Sequence, residues 1–267
     1  MFVQRVKLFQ FTQRGEKVYV GNEEEELSRL LGSEFVVSWK RQTESTNDDV
    51  KRILKENRFS KIVVCLSDSQ IKGRGTHGRI WENEDDAILI SIGGFKKTPY
   101  PEMMPVLGWN LMKLCQKIDP AVRIKWPNDL WINEKKFAGI LCETTQSGGK
   151  NKNFVIGIGI NLSGSNVNHA YLRISKERKI SFCAELVHSV VCSVEDFSST
   201  ELQRVSEQWN QFDALFGCCV FVSDAKGRII KGVEKGINKK GELLLERDGQ
   251  TYAFSDATLG IYSGREE

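Results

Sequence analysis

No stretch of this 267-residue chain approaches 18 consecutive apolar residues, so nothing in it reads as a membrane-spanning helix. Its first residues, Met1-Phe2-Val3-Gln4-Arg5, lack a long apolar segment with a cleavage site, and secretion is not expected. The seven cysteines are odd in number, form no Cys-x-x-Cys pair, and three lie inside apolar runs. A disulfide framework or zinc site is therefore not expected, and a reducing, cytoplasmic setting fits better. No cluster of His, Cys and carboxylates has metal-ligand spacing, so no protein-held metal is expected. A net charge of +3 is too small to argue for nucleic acid. What is there, 40% apolar and 27% charged residues, is ordinary globular composition at a length that suits one large domain plus a small satellite.

The positive charge is concentrated locally. Gly73-Arg74-Gly75-Thr76-His77-Gly78-Arg79, preceded by Lys72, reads as a mobile anion-binding loop. Glycine lets backbone N–H groups approach an anion, and arginine adds bidentate donors. A solvated or nucleic-acid-binding turn has the same composition. His77 reads as solvent-facing rather than as a general base.

Around that loop the element order alternates. Lys7–Phe11 and Lys17–Val20 are predicted to pair as a hairpin across Gln13-Arg14-Gly15, and the acidic run Glu23–Glu26 opens a short helix. Glu34–Trp39 reads as a strand, followed by a capped helix start at Ser45-Thr46-Asn47-Asp48. Ile62–Leu66 and Ala87–Ile92 are short buried strands. Met104, Leu107, Leu111, Leu114, Cys115 and Ile118 recur at helical spacing, which predicts a core-packing helix over 103–118. Strands are expected at 121–126, 130–143 (with a turn near Asn133-Glu134) and 153–161, the last two joined through the polar stretch Thr145–Asn153. Gly164–Lys179 reads as a polar loop, and 181–196 and 199–213 as helices. From Cys218 onward, short strands separated by Lys226-Gly227, Lys240-Gly241 and Asp248-Gly249 predict a small β-barrel or sandwich, with a boundary near Gly217.

Two further motifs bear on chemistry. Lys125-Trp126-Pro127-Asn128-Asp129 ends an apparent strand, where Pro127 stops the strand and Lys125 can reach into a cleft. In Gly157-Ile158-Gly159-Ile160-Asn161, glycines at alternate positions expose one sheet face to a flat ligand or to close packing. It lacks the third glycine of a dinucleotide fingerprint.

Taken in order with Glu44-Ser45-Thr46-Asn47 and Phe137-Ala138-Gly139-Ile140-Leu141-Cys142-Glu143, these motifs resemble the biotin protein ligases from about Thr43 to the C-terminus. The resemblance implies an α+β fold. A mixed β-sheet catalytic domain over 35–216, similar to class II synthetases with helices packed on one side, would precede a small C-terminal β-barrel over 217–267. Residues 1–34 would be an extension of uncertain structure. The implied reaction joins biotin to ATP as biotinyl-5′-AMP, then transfers biotin to a lysine of the biotin carboxyl carrier domain of a biotin-dependent carboxylase. Lys125 and Arg74 would be catalytic. Biotin would meet Ser45, Thr46, Asn47, Gln70, Gly73, Arg74, Gly75, Thr76, Lys125, Gly139, Gly157, Gly159 and Ile160. The adenylate would meet Arg74, Arg79, Trp81, Lys125, Asn128 and Asn161. Mg²⁺ would arrive with ATP, with Asp129 and Glu143 as supporting ligands. Many relatives carry arginine at the position of Thr76, so charge contacts would fall on Arg74, Arg79 and Lys125. Lipoate or octanoate ligation on the same fold, an inactive binding module and a biotin-responsive DNA-binding repressor are the competing readings. The short stretch before Thr43 argues against a helix-turn-helix, so no nucleic-acid partner is expected. The family includes monomers and homodimers promoted by the adenylate. A carrier that docks by adding to a strand edge is a further expectation.

Overall fold

The computed structural model describes residues 9–11, 17–19, 23–56, 61–95, 101–144, 154–224 and 227–261. Strands β1 (Phe9–Phe11) and β2 (Lys17–Tyr19) pair antiparallel, as the sequence predicts, and the turn at 13–15 lies outside the described residues. Helix α1 (Glu23–Leu31) begins with four glutamates that complement the positive end of its dipole, and buries Leu27 and Leu31. Then come β3 (Phe35–Thr43), α2 (Thr46–Glu56), β4 (Ile62–Gln70), β5 (Asp86–Gly93), α3 (Met104–Gln116), β6 (Arg123–Lys125), β7 (Asp129–Ile132), β8 (Lys135–Thr144) and β9 (Phe154–Ser163). Helices α4 (Lys176–Glu195) and α5 (Ser199–Gln208) lead to β10 (Cys219–Asp224), β11 (Ile229–Ile237), β12 (Leu243–Arg247), β13 (Gln250–Phe254) and β14 (Ala257–Ile261).

The seven-stranded sheet has the order β3-β4-β5-β9-β8-β7-β6. Only the β3–β4 pair is parallel, with α2 as its crossover; the other pairs are antiparallel. Alternation along the strands divides the two faces. Val64 and Leu66 of β4, with Ile156, Ile158 and Ile160 of β9, join the large core shared with α1, α3 and α4. Val63, Cys65 and Val155 point the other way and pack with Val50 of α2. The expectation of helices on one side is therefore corrected: among the described α-helices, α2 packs on the opposite face. Its apolar stripe of Val50, Ile53 and Leu54 is short, so it covers only part of that face and leaves the rest open.

Three boundaries shift from the sequence reading. Helix α4 starts at Lys176, inside the expected polar loop, because its first turn carries solvent-compatible charges rather than core residues. Strand β6 is only three residues long, and α5 gives way at Trp209 to a 3₁₀ turn. The expected connection at 145–153 lies outside the described residues. Asn133 and Glu134, with φ of 48° and 62°, make the two-residue β7–β8 turn, which needs positive φ at both central positions.

The C-terminal strands form a second, antiparallel sheet in the order β13-β12-β11-β10-β14. Its Val220, Val222, Leu243, Leu245 and Leu259 belong to the same apolar core as the large sheet's inner face. Trp126 Nε1–H donates to the Gly241 carbonyl at 3.0 Å, which ties the second sheet to the end of β6.

Candidate active site

The open part of the α2 face is floored by glycine. Gly139 of β8 lies opposite Gly159 of β9, and Leu141 opposite Gly157. A Cβ at Gly157 would collide with Asn47 Oδ1, and one at Gly159 with the indole of Trp81. The flat group on this floor is thus the protein's own Trp81, whose Nε1 is buried and meets no protein acceptor. Ile160, expected at the ligand, faces the opposite side and is buried in the core, because strand side chains alternate.

At one end a polar chain runs through the floor. Thr46 N–H donates to Gln70 Oε1 at 2.8 Å, and Thr46 Oγ1 lies 2.6 Å from Ser91 Oγ. Ser91 Oγ donates to Asn47 Oδ1 at 2.5 Å, and Asn47 Nδ2 donates to Glu143 Oε2 at 2.6 Å. Thr46 Oγ1 also lies 3.1 Å from Gln70 Oε1 as a donor, so its one proton is shared between Gln70 and Ser91, whose own proton goes to Asn47. Ser45, Thr46 and Asn47 are buried at the start of α2 and line the cavity, and the Thr46 N–H of that first turn is met by the Gln70 side chain. Ser91 gave no sequence signal, being one hydroxyl within an apolar strand.

The glycine-arginine loop is folded across the other side. Trp81 N–H donates to Gly73 O at 3.0 Å, Gly75 N–H to Arg79 O at 2.7 Å, and a 3₁₀ turn spans Thr76–Gly78. Gly73 thereby backs the loop rather than lining the cavity, whereas Gly75 lines it. Arg74 is not free to receive an anion. Its terminal nitrogens donate to Asp48 at 2.8 and 2.7 Å, and Nε and Nη2 donate to Glu143 at 3.2 and 3.1 Å. Hydrogen bonds to both carboxylates raise its pKa against burial. Burial alone would raise the Glu143 carboxyl, but bonds from Arg74, Asn47 and Lys51 hold it at about 2. Thr76 accepts from Arg79 through its hydroxyl at 2.9 Å, so the residue that departs from relatives orients the neighbouring cation. The side chain of His77 lies outside the described residues.

Two lysines separate. Lys136 lines the glycine-floored cavity, 5.6 Å from the Trp81 ring centroid, with Nζ 2.6 Å from Asp129 Oδ1. Lys125 lines an adjoining cavity instead, 5.0 Å from the Trp131 ring centroid. Burial lowers the Lys125 pKa, Asp129 opposes this, and Lys136 and Arg79 add to it. Sequence reasoning missed Lys136 for a definable reason. Strict alternation from Gly139 would put Phe137 on the cavity side and Lys136 in the core. A register shift between Leu130 and Trp131, opposite Ala138 and Lys136, inserts Phe137 as the extra residue. Phe137 turns into the core and Lys136 into the cavity.

The two cavities share Thr76, Arg79, Asn128, Ile140 and Leu141. Asn128 donates to Ile140 O at 2.6 Å and accepts through its own carbonyl from Ile140 N–H at 3.0 Å, which fixes the partition between them. Asn161 lies on the floor's side of β9 but lines neither cavity; its Oδ1 is buried without a donor. With Trp81 and Arg74 in place the first cavity measures about 120 Å³, and the second about 440 Å³. Small-molecule sites usually span roughly 300–1,000 Å³, so the first is a partly self-filled site. Among the described residues no three carboxylate, His or Cys groups could hold a metal ion together. Asp129 is occupied by Lys136 and Glu143 by three donors, so the site does not fit a resident ion.

Residues 39–161 match the Biotin/lipoate A/B protein ligase family. "Bifunctional ligase/repressor BirA" of Escherichia coli is 30% identical over 202 residues, covering 70% of this chain and 62% of that protein. The chain therefore spans less than two thirds of that relative's length. "Biotin--[acetyl-CoA-carboxylase] ligase" of Mycobacterium tuberculosis is 24% identical over 80% of this chain and 84% of its own length. In fold, the chain resembles the biotin protein ligase from Aquifex aeolicus in complex with biotin and ATP. The TM-score is 0.70 at 21% identity, covering 85% of this chain and 99% of that one. No helix among the described residues is long and apolar enough to cross a membrane.

Proposed function

We propose, from the match of residues 39–161 to the biotin/lipoate A/B protein ligase family, that the chain activates biotin with ATP and transfers it to a carrier-protein lysine. One observation carries the reading: a glycine floor bounded by the Gln70–Thr46–Ser91–Asn47 chain at one end and by Arg74, Arg79 and Lys136 at the other. A compact bicyclic acid has ureido donors and acceptors at one end and a carboxylate at the other. The polar chain suits the first, and the cations suit the second.

Biotin takes the place of Trp81 on the glycine floor, and its carboxylate draws Arg74 from Asp48 and Glu143. A carboxylate oxygen attacks the α-phosphate of ATP; the new O–P bond forms as the bond to pyrophosphate breaks. Lys136 stabilises the charge gathered at that phosphorus, as a fixed cation does best in a site closed to water. The β- and γ-phosphates occupy the adjoining cavity, where Lys125 and Arg79 neutralise them. Mg²⁺ is carried by the phosphates and not by a protein cage. Ordering of the 73–81 loop over the adenylate, with Trp81 against the adenine, excludes water until the lysine of a biotin carboxyl carrier domain attacks the acyl carbon and releases AMP. The free cysteines suit the reducing cytoplasm in which such a carrier is made.

Pyrophosphate release tests the reading, with biotin, lipoate or octanoate supplied to the purified chain without carrier. Biotin-dependent release with biotinyl-AMP detected by mass is the expected outcome. Release with lipoate alone would transfer the chain to lipoate chemistry, and none with any acid would leave a binding module.

A further inference from the structure

Residues 82–86, which lead from the glycine-arginine loop into β5, are fastened on both sides. Asn83 grips the backbone of Gln70: its Oδ1 accepts from Gln70 N–H at 3.1 Å, and its Nδ2 donates to Gln70 O at 2.7 Å. Glu84, with a side chain only 7% exposed, turns the other way. One carboxylate oxygen pairs with His169 Nδ1 at 2.5 Å, and the other accepts from Tyr171 OH at 3.1 Å. Gly164 lies directly against this carboxylate, where a Cβ would collide with Glu84 Oε2 and the Tyr171 ring. The segment 164–171 is therefore wrapped around Glu84.

That wrapped segment also leans on the catalytic strands. Ala170 N–H donates to Lys136 O at 3.0 Å, Leu172 N–H donates to Asn161 O at 2.9 Å, and His169 bridges to Lys136 in parallel register. Nothing in the reaction uses Glu84 directly. Its place in the molecule is at the root of the moving loop, joined through His169 and Tyr171 to the backbone of Lys136 and of Asn161. Buried, fully bonded polar groups of this kind fix one arrangement against others.

We propose that Glu84 is a positioning residue. It clasps segment 164–172 against the exit of the 73–81 loop, so that the loop opens and closes about a fixed root while Lys136 keeps its place. The inference rests on the ligase reading for its kinetic consequence and on hydrogen bonding alone for its structural one.

The test has two arms. Hydrogen exchange on the unliganded full chain compares wild type with Glu84→Ala and Glu84→Gln. The Ala170 and Leu172 amides should exchange about tenfold or more faster in Glu84→Ala, with α3 unchanged; equal rates would overturn the clasp whatever the activity. Glu84→Gln, which keeps one acceptor, should fall between, and it serves if the alanine variant does not fold. In the second arm, release of labelled biotinyl-AMP should accelerate about tenfold in Glu84→Ala and in His169→Ala, and the double variant should be no worse than either. KM for biotin, set at the Gln70 end, should stay within about twofold. Unchanged release, or additive losses, would overturn the positioning role. A wild-type chain that forms no adenylate would refute the ligase reading, and the exchange arm would still decide the clasp.

Discussion

Arg74 sits on Asp48 as a bidentate pair, with both terminal guanidinium nitrogens within 2.8 Å of the carboxylate. The pairing is one that a phosphate or a ligand carboxylate could also make, so the resting site holds its anion receptor on an internal substitute. Asp48 is half exposed and Arg74 one third exposed, so solvent screens the pair and it can be exchanged.

Asp48→Asn should therefore tighten binding of a non-hydrolysable biotinyl-adenylate analogue, by roughly three- to tenfold, because one competitor for Arg74 is removed. Arg74→Ala should weaken it and speed loss of the intermediate. Titration calorimetry reads the first, and weaker binding of Asp48→Asn would show that the carboxylate supports the liganded state instead.

The two lysines should part in their kinetics. Lys136→Ala is expected to lower the first half-reaction by about 10²–10³ at saturating substrates, as loss of a group that acts in the transition state does. Lys125→Ala should chiefly raise KM for ATP. The reverse pattern in single-turnover adenylate formation would return the catalytic assignment to Lys125.

Gly157→Ala places a methyl group where Asn47 Oδ1 now lies, and so breaks the buried run from Asn47 through Ser91 to Thr46. A cost of about 1–3 kcal/mol is expected from the unsatisfied polar groups, read as a lower denaturation midpoint. KM for biotin should rise with it. An unchanged midpoint would mean that Asn47 finds another rotamer at little cost.

A separate pair governs pH dependence. Glu234 is fully buried, and its Oε1 accepts from Gly236 N–H. Its Oε2 lacks a conventional donor, which a proton shared with the adjacent Asp213 would supply. Burial pushes both carboxyls above their ordinary values, and Asp213 adds to the rise at Glu234. The folded state thus holds a proton that the unfolded chain gives up. Its stabilisation is fully present below the ordinary carboxylate range and is lost as pH climbs through the raised folded value. Urea midpoints should fall between pH 5 and mildly alkaline pH, and Glu234→Gln, which keeps a donor toward Asp213, should flatten that slope. A midpoint that rose with pH would contradict the shared proton.

Much of the site could be read in the residues because its parts begin or end elements. Ser45–Asn47 open α2, Gln70 closes β4, and the glycines of β9 advertise a face without side chains. Such features depend on local chemistry. The parts that were not legible depend on partners far along the chain. The resting partner of Arg74 is hidden in this way, because Glu143 stands 69 positions away along the chain. Ile160 was placed at the ligand because it stands between Gly159 and Asn161, although alternation turns it inward. The α2 face went unseen because one amphipathic stripe does not say which side of a sheet it will cover.

The extra residue at Phe137 makes the site's chemistry a matter of counting. One residue added to β7 between Leu130 and Trp131 would restore a regular ladder and reverse the odd and even positions before Gly139. An aromatic ring would then stand where the ammonium group stands, and the ammonium group would be driven into the apolar core. Such an insertion should abolish adenylate formation and lower the melting midpoint together, whereas one of equal length at 145–153 should do neither. The reactive face is held by the parity of a single strand, so a shift in reading frame of one side chain exchanges reagent for filler.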